Sequence, residues 1–254
     1  MIQNFFRQPY IVIGMHRSGT SMLSELLHSA GIFMGNDWVR NQESDFFQRI
    51  NKRLLEQNGW SWLEPGVPPE STRIRLSSFG LIGGFIKGQR NPFQLINLIG
   101  GGEWGWKDPR NTFTLGSWLK LFPQARVIHL YRNGMDVALS LYYRNRKTAN
   151  GDAFRHAALK EKSAGLDLWE KYVAQAFSFE PVLGERMLTV QFEKLVQCDP
   201  VEVNRLEKFT GLPLRKRLES TVDQKRTARY LEPEHADLVQ YARKNHWMNK
   251  LGYC

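Results

Sequence analysis

A parallel α/β sheet covered on both faces by helices is the fold this sequence predicts, from three observations. Short runs at Pro9-Tyr10-Ile11-Val12-Ile13, Val127-Ile128-His129-Leu130-Tyr131 and Met187-Leu188-Thr189-Val190-Gln191 read as strands. Between them stand stretches with apolar residues every three or four positions, the helical period. Strands alternating with helices close right-handed βαβ crossovers, which bury a parallel sheet and leave a ligand crevice at the carboxyl ends of the strands. The 254 residues suit one such domain, 1–254, with a good-sized core.

The first strand runs straight into Gly14-Met15-His16-Arg17-Ser18-Gly19-Thr20-Ser21, and Met22, Leu23, Leu26, Leu27 and Ala30 then mark a helix that ends between Gly31 and Gly35. Phe46, Phe47, Ile50, Leu54 and Leu55 place a second helix over 45–58, stopped by Gly59. From 60 to 102 the pattern becomes irregular, with Pro65, Pro68, Pro69 and a glycine-rich apolar stretch. It reads as a variable insertion with short helices that supplies substrate walls or a lid. Trp104 and Trp106 alternate along a short strand ending near Lys107, and helices follow over 115–121, 135–144 and 153–179.

Hydrophobic residues at 42% and charged residues at 24% are ordinary for a globular chain and exclude disorder and a membrane-embedded class. A formal charge of +10 favours anionic partners: a nucleotide, an acidic glycan, a membrane surface or nucleic acid. Each local basic cluster, at 144–147, 214–217 and 225–226, reads by itself as a solvated face. Two cysteines, Cys198 and Cys254, make neither a disulfide framework nor a C-x-x-C metal site, and suit a reducing compartment. The first residues lack a signal-peptide core, and no segment reaches the roughly 20 apolar residues of a spanning helix, so the cytoplasm is the expected location.

The segment 14–21 points backbone N–H groups at one spot above a helix N-terminus, an arrangement suited to a phosphate. Gly14 and Gly19 stand as in G-x-x-x-x-G-K-[ST], but Thr20 takes the place of the lysine that reaches the outer phosphates of a triphosphate. No clear second strand ends in an aspartate to hold magnesium, and Arg17 offers a cation at a different point of the loop.

Arg17-Ser18-Gly19-Thr20-Ser21 resembles the 5'-phosphosulfate loop of sulfotransferases that use 3'-phosphoadenosine 5'-phosphosulfate (PAPS), above all the bacterial and tyrosylprotein-type branches, whose loop carries arginine. Three further segments fall in that family's order: Trp106-Lys107-Asp108-Pro109-Arg110; Arg126 to Arg132 with Ser140 after it; and Val190-Gln191-Phe192-Glu193-Lys194-Leu195 leading to Phe209-Thr210-Gly211-Leu212-Pro213. The resemblance spans most of the chain. It implies a nucleotide-kinase-like, three-layer P-loop fold with a central parallel sheet, PAPS as co-substrate, 3',5'-adenosine bisphosphate (PAP) as product, and no required metal.

Sulfuryl transfer asks for an acceptor proton to be removed, for charge on the bridging and equatorial oxygens to be stabilised, and for the nucleotide to be held in line. The resemblance distributes these tasks. Arg17, Ser18, Gly19, Thr20 and Ser21 hold the 5'-phosphosulfate; Lys107 and Arg17 stabilise the transition state; Arg132 and Ser140 grip the 3'-phosphate; Glu43 is the general base, with Asn51 further along the next helix. The family usually places aspartate and proline after that arginine, where this chain has Asn133-Gly134. His16 and His28 are rival bases, His129 reads as buried, and Arg110 reads as either structural or substrate-facing.

Residues 221–229 occupy the region where relatives fold a basic loop over the nucleotide, and Leu251-Gly252-Tyr253 resembles bacterial members without a chemical role attached. Trp60 and Trp62 read either as sugar-stacking residues or as core. The expected acceptor is a carbohydrate or small natural product hydroxyl, with no specific nucleic acid and a homodimer among the admissible assemblies. Two rivals stay open at this point: a phosphoryl transferase with a degenerate loop, and a basic module that binds polyanions without catalysis.

Overall fold

Four strands, β1 (Tyr10–Ile13), β2 (Gly105–Lys107), β3 (Arg126–Tyr131) and β4 (Met187–Gln191), pair in parallel throughout in the order β2-β1-β3-β4. They belong to a computed structural model that describes residues 8–35, 42–72, 74, 80, 83–86, 101–146, 156–221 and 228–254. Most of the expected insertion beyond residue 74, the start of the helix expected over 153–179 and most of the 221–229 stretch lie outside the described residues.

Side chains alternate across the sheet, as the period of two requires. Tyr10, Val12, Ile128, Leu130, Leu188 and Val190 pack with Leu23, Leu26 and Leu27 of α1 (Thr20–Ala30). On the other face Ile11, Ile13 and Val127 meet Phe47 of α2 (Asp45–Glu56) and Leu115 and Trp118 of α3 (Asn111–Leu121). Phe47 lies flat on Trp106 of β2, their ring centroids 4.0 Å apart. The result is helix, sheet, helix, with α4 (Gly134–Arg146) and α5 (Lys162–Phe177) packed together beyond the edge of the crevice.

The connection after β1 leads to β2 on one side, and the next passes back to β3 on the other. The chain order therefore reverses between β1 and β3, which is where an open α/β sheet forms its ligand crevice. Helix boundaries differ from expectation at two places. The third helix begins at Asn111 rather than 115, because Asp108 accepts the Arg110 N–H at 2.9 Å and starts the turn directly after Pro109. The expected 153–179 helix is a single 3-10 turn at Ala157–Leu159 and then α5. Asn145 holds that turn apart by donating to the carbonyls of His156 and Leu159 while accepting the His156 N–H. Among the described residues no helix is long and apolar enough to cross a membrane.

Candidate active site

The 14–19 loop closes tightly under the crevice. Gly14 has φ +137°, and a Cβ there would lie 2.3 Å from the Leu130 carbonyl oxygen; a Cβ on Gly19, at φ +90°, would strike the Phe192 ring at 2.4 Å. No other residue type fits either position without displacing the sheet or that ring. Arg17, at the crest, also has positive φ, 72°, a conformation costly for an arginine and typical of a site that must aim a side chain. It is exposed, and its Nε donates to Ser140 Oγ at 2.8 Å. Ser18 Oγ is buried with no hydrogen-bond partner among the described residues, as expected of a donor kept for an anion. The loop thus suits the phosphosulfate of a nucleotide donor.

On the β2 side, Lys107 is 1% exposed; its Nζ lies 3.2 Å from Glu43 Oε1 and 3.3 Å from Ser21 Oγ. Burial pulls the Lys107 pKa down, and the carboxylates of Glu43 and Asp108 partly offset this. Glu43 is itself buried, with Gln48 donating to Oε2 at 2.6 Å and Arg110 at 3.6 Å from the same oxygen. Arg110 also pairs with Asp108 at 3.0 Å, so it is structurally engaged. Behind them Asn51 is fully buried and uses its whole amide. It donates to Asp108 and Asn111, and accepts from Thr114 Oγ1 and Trp118 Nε1.

On the β3 side, Arg132 NH2 pairs with Asp136 at 3.2 Å, and NH1 donates to the Arg17 carbonyl at 3.4 Å. Asn133 accepts the Met135 and Asp136 N–H groups on its side chain and so caps α4, which is why the turn closes without the family's usual aspartate and proline. Ser140, nearly two turns along α4, accepts from Arg17.

A profile of the sulfotransferase family matches residues 9–216. The chain belongs to that family. It is therefore an enzyme that takes its sulfuryl group from PAPS. Its fold is shared with STF1 from Mycobacterium tuberculosis, at 16% identity over 87% of this chain and 72% of that one, TM-score 0.50. The sulfotransferase domain of the Synechococcus PCC 7002 olefin synthase matches at 18% identity over 91% and 82%, TM-score 0.50. Mouse SULT7A1, solved with PAP, matches at 14% identity over 98% and 88%, TM-score 0.51. No curated protein matches the sequence.

Within this sulfotransferase His16, His28 and His129 separate. His28 Nδ1 accepts the Met34 N–H at 3.2 Å and sits in the last turn of α1, remote from the loop that begins that helix. His129 is buried under Phe177, and desolvation lowers its pKa to about 3. His16 is half-buried beside Trp62, 4.8 Å between ring centroids, but its Nε2 is closed to solvent and has no hydrogen-bond partner among the described residues. Desolvation, then the charges of Arg110, Lys107, Arg144 and Arg17, hold its pKa well below 6.5. Trp60 and Trp62 pack as partly buried core against Tyr172 and its neighbours. Sequence reasoning missed Asp136, whose position four residues after Arg132 on a helix was the available signal.

Proposed function

We propose that this sulfotransferase transfers the sulfuryl group of PAPS to a hydroxyl of a carbohydrate or small natural product, with no metal. Arg17, Ser18, Thr20, Ser21 and the backbone at Gly19 hold the 5'-phosphosulfate; Arg132 and Ser140 hold the 3'-phosphate. The observation that carries this reading is the convergence of a loop arginine and a strand-end arginine on one crevice, with Arg132 NH1 reaching the carbonyl of Arg17 and Arg17 Nε reaching Ser140. Guanidinium forks matched to two phosphate groups give a reason for a 3'-phosphorylated nucleotide over a triphosphate.

In the transfer, the acceptor oxygen bonds to sulfur as its proton passes to a base, and the bond from sulfur to the bridging oxygen breaks with its electron pair left on the 5'-phosphate. Lys107 and Arg17 stabilise charge on the transferred group and the leaving oxygen, and Glu43 receives the proton. A second reading of the base has a specific observation behind it. His16 is held neutral with an unengaged Nε2, whereas Glu43 is bound by Lys107, Arg110 and Gln48. Free thiols at Cys198 and Cys254 accord with action in the cytoplasm.

Calorimetric titration with PAP, AMP and magnesium ATP tests the donor site. PAP is expected to bind without metal and in preference to both others, and Arg132→Ala is expected to weaken PAP about 10- to 100-fold while leaving AMP unchanged. Equal affinity of the wild type for PAP and AMP would overturn the reading.

A further inference from the structure

The turn that carries Arg132 is held at its carbonyl, its next N–H and its guanidinium, and two of these holds lead to the end of the chain. Trp169 Nε1 of α5 donates to the Arg132 carbonyl at 3.0 Å. Glu193 Oε1 accepts the Asn133 N–H at 2.8 Å. Asp136 pairs with the guanidinium through NH2, and the guanidinium Cζ lies over the Phe192 ring, 4.7 Å from the centroid. Phe192 is also the ring against which Gly19 closes, so one side chain touches both the loop and the arginine.

Behind Glu193 stands Tyr253. Its hydroxyl donates to Glu193 Oε2 at 2.8 Å and accepts from Gln191 Nε2 at 3.2 Å. Burial, with the Glu193 charge, raises the pKa of the phenol, which keeps it a donor. Behind Asp136 stand the N–H groups of Ala228 and Arg229, each at 3.0 Å. Residues 228–254 therefore grasp both carboxylates that orient the turn, one through backbone and one through a tyrosine hydroxyl.

We propose that Tyr253 is a positioning residue for Arg132: by orienting Glu193 it fixes the Arg132-Asn133 peptide, and so sets the enzyme's preference for a 3'-phosphorylated nucleotide over the same nucleotide without that phosphate. The proposal rests on the reading of Arg132 as the 3'-phosphate ligand. A carboxylate with both oxygens engaged has one orientation; freed on one side it rotates, and the peptide it holds tilts with it. The guanidinium sits at the end of a long side chain, where a small tilt at the backbone becomes a large displacement. Only the 3'-phosphate distinguishes PAP from AMP, so a displaced guanidinium lowers the ratio of the two affinities, whereas a general loosening of the fold lowers both together.

The test is calorimetry with PAP and AMP on the full chain, comparing wild type, Tyr253→Phe and Glu193→Gln, with thermal unfolding recorded for each. Tyr253→Phe removes one hydroxyl and keeps the packed ring. The PAP-to-AMP preference is expected to fall about fivefold with AMP affinity unchanged, and Glu193→Gln is expected to lower it as well. A preference unchanged in both variants, or an equal loss for both nucleotides, would overturn the role of Tyr253 while leaving Arg132 as the ligand. Absence of any preference in the wild type would instead overturn the donor-site reading.

Discussion

The Lys107 corner and the Arg132 turn flank the 14–19 loop on opposite sides, and they hold their cations in different ways. Lys107 is buried among side chains of opposite charge, Glu43 at 3.2 Å and Asp108 next in sequence, on a platform made by Asn51. Arg132 is fixed largely through its backbone, by Trp169 at the carbonyl and Glu193 at the following N–H, with one carboxylate on the guanidinium. The first is an electrostatic arrangement in which every partner needs the others. The second is geometric, and its parts act on direction. Changes at the first should cost stability and rate together, and changes at the second should cost selectivity.

Lys107→Met gives the largest expected effect. It removes the buried cation that the proposed mechanism sets beside the transferred group, so kcat is expected to fall about 1000-fold. It also takes from Glu43 its nearest cation and leaves it, among the described residues, the Gln48 amide at 2.6 Å and the longer Arg110 contact at 3.6 Å. A buried carboxylate that has lost its closest counter-charge should lower stability by about 3 kcal/mol. The double variant Lys107→Met with Glu43→Gln sharpens the comparison, since it should regain most of the stability and none of the rate. Loss of rate in the single variant with denaturant stability unchanged would show that the corner is not electrostatically coupled.

Next in size is the identity of the proton acceptor. Glu43→Gln is expected to lower kcat about 100-fold or more, with His16→Asn changing it much less. The opposite order in single-turnover rates moves the role to His16, whose ring is neutral but whose buried Nε2 would have to open to the acceptor and whose lowered pKa makes it a weaker base. Asn51→Leu comes third. It takes from the buried Trp118 Nε1 its acceptor and from Asp108 Oδ2 its donor, and should cost about 3 kcal/mol of stability. PAP affinity should stay nearly constant, because the Arg132 turn does not rest on this platform. A parallel loss of PAP affinity would break the division between the two regions.

Much of this was legible in the sequence. Gly14 and Gly19 announced the loop through spacing alone, since backbone geometry leaves few residue types at those points. Lys107, Arg132 and Ser140 were singled out through resemblance, and the crevice brings Arg132 and Ser140 to Arg17, while Lys107 meets Ser21 of the same loop. The supporting residues were harder to see. Glu193 and Tyr253 are 60 positions apart and meet only because the chain's end folds back across β4. Asn133 looked like a departure from a pattern, yet its amide does the capping that the turn needs. The break before α5 was invisible because its cause, Asn145, lies on another helix and acts through tertiary hydrogen bonds.

The smallest predicted effect concerns β3 itself, the strand that ends at Arg132. His129 is 1% exposed, and burial lowers its pKa to about 3, against about 6.5 in an unfolded chain. Below pH 6.5 the unfolded chain therefore binds a proton that the folded one refuses. Stability is complete above that pH and declines as pH falls toward 3, by about 1.4 kcal/mol per pH unit from this residue. His16 and His28, whose pKa values are also lowered by burial, act in the same direction. His129→Leu should remove one histidine's share, so that the difference in denaturant stability between pH 7 and pH 5 shrinks by about 2 kcal/mol. PAP selectivity at pH 7 should be untouched, because the ring packs on Phe177 while the guanidinium of Arg132 is held by Asp136 and its turn by Trp169 and Glu193. A change in selectivity in this variant would mean that the direction of Arg132 is set from within the strand as well as by the groups that grip its turn.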